Sequence, residues 1–142
     1  MSAKTWRTMY VAFAWFFALF YLAVDVGSAI SVRATLAVFN WSANLCGLRG
    51  AMGDPSDTVA YAFLMAYFMV LLVACIQCAR DPKASGPLVL LCAGKATSGT
   101  TFLVLSLTVR PAYGFIFVLD VINIVMMVIP FRMLKKAEAG PA

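Results

Sequence analysis

The sequence predicts an all-α membrane protein: a bundle of four transmembrane helices with a short interfacial or re-entrant helix between the first and second. Three observations carry this. Of 142 residues, 63% are hydrophobic and only 12% are charged, against about 45–50% and about 25% in soluble domains. The apolar residues gather into four runs, each near the ~20 residues a helix needs to cross ~30 Å of hydrocarbon. The cations sit mostly at the ends of those runs. The alternation a membrane barrel requires is missing, and open backbone in lipid leaves its polar groups unsatisfied. Uniform composition makes residues 1–142 a single domain.

The first span is predicted at about 9–26, after Lys4 and Arg7, with an aromatic middle of Phe13, Trp15, Phe16, Phe17, Phe20 and Tyr21. Gly27-Ser28-Ala29 has the small residues of a cleavage site. The run before it exceeds the ~7–15 residues of a signal-peptide core, so it reads as a retained span. Over residues 33–53, Val38, Trp41, Leu45 and Leu48 recur at spacings of three and four, while Asn40, Asn44 and Arg49 fall elsewhere around the helix. That pattern predicts the amphipathic segment.

The second span, about 59–78, is introduced by Asp54 as a cap, Pro55 at the first helical position and Asp57 in the first turn. Arg80-Asp81-Pro82 stops it. Ser85-Gly86-Pro87 opens the third span, about 88–109, and Arg110-Pro111 closes it. The fourth covers about 113–130, followed by Arg132, Lys135 and Lys136. With both termini cytoplasmic, the inside holds seven cations (Lys4, Arg7, Arg80, Lys83, Arg132, Lys135, Lys136) and the outside three (Arg33, Arg49, Arg110). Both termini are therefore expected inside, in the cell (inner) membrane.

Three charges lie within spans: Asp25 late in the first, Lys95 in the third and Asp120 in the fourth. Charge at depth costs roughly 2.5–3.5 kcal/mol, so each calls for a partner or a watered site. Folding the chain at Arg110-Pro111 sets Asp120 opposite Thr101 and Asn123 opposite Ser98. Lys95 then lies ~9 Å further along, nearly within reach of Asp120. Lys95, Ser98 and Phe102 share one helical face, as do Asp120, Asn123 and Met127. Gly94 with Ser98, and Ala96 with Thr100, have the spacing that lets membrane helices approach closely. The candidate intramembrane site is Lys95, Asp120, Asn123, Ser98 and Asp25. It is either a register-fixing pair or a site for an ion, proton or polar solute. Asp25 alternatively reaches the outer interface near Arg33.

Histidine is absent, which removes the usual proton shuttle and bis-histidine haem ligation. Cys75-Ile-Gln-Cys78, with Cys92 one turn into the third span, has the spacing of a thiol site. Four-helix thiol oxidoreductases of the vitamin K epoxide reductase type keep cysteines on the oxidising side, with a second pair in an extracytoplasmic loop. Here only Cys46 falls outside, so apolar packing is the expected role. Asn40-Trp41-Ser42 is a glycosylation sequon on the outer side. No phosphate loop, zinc motif, nucleophile elbow or supported acidic dyad is present, and no cofactor is expected. No basic stripe interleaved with aromatics remains for nucleic acid. The expected partners are the lipid bilayer and a larger membrane complex or a second copy of the chain.

Three functional classes follow. The first is a non-catalytic accessory or assembly subunit of a larger membrane complex, suggested by the tiny extramembrane regions and the aromatic first helix. The alternative is a small oligomeric transporter or channel using the Lys95/Asp120 seam. An enzyme using Asp120, Asp25 or the thiols ranks third, because neither a pocket nor a partner for acid–base work is legible.

Overall fold

A computed structural model describes residues 2–50, 52 and 58–139. The described residues form helices α1 (Ala3–Ile30), α2 (Val32–Leu45), α3 (Thr58–Arg80), α4 (Gly86–Thr108) and α5 (Gly114–Glu138), with a 3₁₀ turn at Pro111–Tyr113 before α5. They contain no strand. Three stretches are long and apolar enough to cross a membrane: Ala3–Ile30, Gly86–Thr108 and Pro111–Glu138. The described apolar part of α3, Leu64–Arg80, is shorter. The expected cap at Asp54, Pro55 and Asp57 lies outside the described residues.

The helix starts follow from local chemistry. Ser2 accepts the backbone N–H of Thr5 and caps α1. Ser31 serves two helices at once. Its N–H donates to the Gly27 carbonyl, ending α1, and its hydroxyl accepts from the Ala34 N–H, starting α2. The extended backbone of Ser31 turns the chain there. Gly27 leaves room for the turn, because a Cβ on it would stand 3.1 Å from the Thr35 hydroxyl. Pro87 sits in the first turn of α4, where its missing N–H costs nothing. Pro130 marks the end of the predicted fourth span, yet α5 runs on through it to Glu138.

The four long helices close a ring. α1 packs on α3 and α5, and α4 packs on the same two. Chain order then defines two ends. One carries both termini and the α3–α4 connection; the other carries α2 and the α4–α5 turn. The half nearer the termini holds the main core, in which Tyr10, Ala14, Leu71, Cys75, Leu91 and Met127 are buried together. Outward residues such as Phe16, Leu19, Val73, Leu90 and Ile129 are large, apolar and exposed, as a lipid-facing surface requires.

At the other end α2 packs against α1, the 3₁₀ turn and α5. The helix covers Val32–Leu45, only the first part of the expected 33–53 segment, and its stripe is not the packed face: Val38, Trp41 and Leu45 are all more than 60% exposed. Leu36 and Phe39 pack inward instead, around buried Ala43, Met52 and Ala112. Leu48 leaves the predicted stripe because the helix has ended at Leu45, and it too packs inward. Asn40 fastens the chain beyond the helix. Its carboxamide accepts from the Met52 N–H at 2.7 Å and donates to the Met52 carbonyl at 3.4 Å.

Candidate functional site

Lys95 and Asp120 meet where the packed half of the bundle stops. Lys95 lies on the buried face of α4 with Leu88, Leu91 and Gly99. Asp120 lies on the buried face of α5 with Asn123 and Met127. The ammonium of Lys95 donates to Asp120 Oδ1 at 2.7 Å, and the two residues are 6% and 1% exposed. Mutual compensation is what lets two charges stand at this depth.

The register differs from the one counted from the turn. Asp120 faces Gly99, not Thr101: a Cβ on Gly99 would lie 3.5 Å from Asp120 Cβ. Glycine lets α5 approach the α4 backbone there. Gly99 is four residues from Lys95, about 6 Å along the helix instead of ~9 Å. The side chains then bridge directly.

Asn123 turns away from the pair. Its Nδ2 donates to the Tyr21 hydroxyl at 2.6 Å. The Tyr21 ring lies under Lys95, with the ammonium 4.8 Å from its centroid, an arrangement the ring quadrupole favours. Tyr21 thus joins α1 to both helices of the hairpin, a role its place in an aromatic run conceals. The available signal was polarity: a hydroxyl in mid-span needs a partner. Asp120 Oδ2 and Asn123 Oδ1 have no hydrogen-bond partner.

Ser98 stands one turn from Lys95 and lines a cavity of about 200 Å³. Thr35 and Phe39 of α2, Phe68 of α3, Phe102 of α4 and Ile116 of α5 stand around the space. Met52, Lys95 and Asp120 line it as well. The lining is mainly aromatic and aliphatic, with the hydroxyl side chains of Thr35, Tyr67 and Ser98 and the ion pair among it.

Asp25 is not brought into this cluster. It lies on the face of α1 that carries Tyr21 and Ser28, 5% exposed, and neither carboxyl oxygen has a hydrogen-bond partner. α1 continues to Ile30, and Asp25 stands on its buried face. The small-residue pairs divide as well. Gly94 faces α3, where a Cβ would meet Leu71 at 3.2 Å and Tyr67 at 3.4 Å. Ala96 and Thr100 face outward.

The cysteines are free thiols, with Cys75 and Cys78 buried in the main core and Cys46 exposed. Among the described residues no three His, Cys, Asp or Glu side chains group to hold a metal. The Asn40 amide of the sequon is occupied by Met52. Comparison with protein-family models, curated proteins and solved structures finds no match.

Proposed function

We propose that the chain is an integral membrane protein in which all four long helices cross the bilayer, and that it binds a small solute at Lys95 and Asp120 in the manner of a small transporter. One observation carries the reading: the buried ion pair stands among the residues that line a cavity. A pair kept only to fix register has no need of adjoining space. α3 joins the membrane count because its 23 residues stand in the ring between α1 and α4, and about 20 suffice to span. The cations clustered at the end bearing the termini favour both termini in the cytoplasm of a cell whose inner membrane holds the chain. The cavity then faces the outer half.

The accessory-subunit reading draws on the exposed aromatic face of α1 around Trp15 and Phe16. One measurement separates the two. Ser98→Cys, in a Cys46→Ser background, places a thiol on the cavity wall. A water-soluble maleimide should label it in the folded protein, added from the outer side. Labelling only after denaturation would mean a dry seam, overturning the solute site and leaving the accessory role, which predicts co-purification with a larger partner.

A further inference from the structure

The outward face of α5 changes character once along its length. Val118, Val121, Ile122, Val125, Ile129 and Met133 are exposed at spacings of three and four, opposite the buried Asn123, Met127 and Leu134. The same spacing carries the face on to Arg132 and Lys136, both exposed. From Ile122 to Arg132 the helix rises about 15 Å at ~1.5 Å per residue, half of the ~30 Å hydrocarbon thickness. An apolar track one leaflet long therefore ends on two cations.

The neighbouring charges are engaged elsewhere. Lys135 Nζ donates to the Lys83 carbonyl at 3.0 Å, and Lys83 pairs with Glu138 at 3.9 Å. Asp81 Oδ1 accepts the Lys83 N–H. The ion pairs among the described residues leave Arg132 and Lys136 without a carboxylate. Like charges one turn apart repel, and an anion between them relieves both. A guanidinium grips phosphate oxygens in a fork, with the ammonium a point charge beside it. Lys4, Arg7, Arg80, Lys83 and Lys135 stand at the same end of the bundle, against Asp81 and Glu138. A zwitterionic headgroup would bring a further ammonium into that positive field. The field therefore selects a lipid of net negative charge.

We propose that Arg132 and Lys136 bind the phosphate of an anionic phospholipid whose acyl chains lie along Met133, Ile129 and Val125. This needs only α5 in a bilayer and is separate from the solute site, so the Ser98→Cys labelling neither supports nor harms it. The test titrates the full chain, purified in an uncharged detergent, with phosphatidylglycerol or phosphatidylcholine and counts bound lipids by native mass spectrometry. Phosphatidylglycerol should bind more tightly. Arg132→Gln and Lys136→Gln should each weaken it about fivefold, the worth of one cation near an anionic surface. Both side chains are exposed, so these variants should keep the fold, which circular dichroism checks. Arg132→Lys/Lys136→Arg should retain most of the binding. Lys4→Gln/Arg7→Gln removes as much charge from the same end as Arg132→Gln/Lys136→Gln and should leave binding nearly unchanged. Equal losses from these two pairs would mean a diffuse field and overturn the site. A cation that serves only to orient the chain during insertion has finished its work in the purified protein. Equal affinity for the two lipids would therefore leave orientation as the whole role and overturn the proposal. Displacement of the lipid by glycerol 3-phosphate at equal concentration would make this a site for free anions and overturn the lipid as occupant.

Discussion

The two halves of the bundle are filled by different rules. Near the chain ends, Tyr10, Ala14, Leu71, Cys75, Cys78, Leu91 and Met127 are essentially inaccessible and form one continuous cluster. Under α2 the buried cluster shrinks to Ala43, Met52 and Ala112, beside a cavity. The boundary is a polar layer of Tyr21, Lys95, Asp120 and Asn123. The difference teaches where polar groups can stand in such a bundle. They do not interrupt the packed core; they end it, and the space begins on their far side.

The sharpest way to break that comparison is at the boundary. Lys95→Met alone strands the Asp120 carboxylate and should destabilise by about 3–5 kcal/mol in detergent unfolding, whereas Lys95→Met/Asp120→Leu should recover most of the loss. A double variant as weak as the single would show that shape, not charge, holds the layer. Next come paired truncations in the two halves. Leu91→Ala should cost about 2–5 kcal/mol, because its neighbours cannot close the hole. Ile116→Ala, already beside empty space, should cost about 1 kcal/mol. Equal costs would erase the distinction between the halves. Tyr21→Phe removes one hydroxyl from the layer, for which membrane hydrogen bonds suggest about 0.6 and at most about 1.7 kcal/mol. Smallest of all, Asn40→Leu should change global stability by within about 0.5 kcal/mol. It should nonetheless speed hydrogen exchange at the Met52 amide and leave the α1 and α4 amides of the packed half unchanged.

The helices were legible because each rests on a local run of apolar residues closed by Pro, Gly or a charge. The Lys95–Asp120 pairing was legible too, as two charges on facing strips of a tight hairpin. Its register was not, since the point of closest approach depends on which small residue α5 meets, and Gly99 competes there with Gly94, Ser98 and Thr100. Tyr21 escaped notice because its partner Asn123 is reached only when α1 and α5 become neighbours, and no local pattern encodes that adjacency. The α2 stripe misled for a related reason. Periodicity marks an apolar face, but Val38 and Trp41 cannot declare whether bundle or surroundings will cover it, and here Phe39 and Ala43 turn inward.

The Tyr21–Asn123 hydrogen bond spans 102 residues, whereas Lys95 and Asp120 are separated by 25. On a chain made from its N-terminus, the hairpin of α4 and α5 carries both halves of its ion pair into the bilayer as a neighbouring couple. The Tyr21 hydroxyl has no such companion. It must wait through the synthesis of three further long helices, since nothing earlier than the last one brings Asn123. On the four-span reading, a product truncated between residues 95 and 120 would leave an unanswered phenol and an unanswered ammonium in hydrocarbon, a state that quality-control proteases have physical grounds to tell from the finished protein.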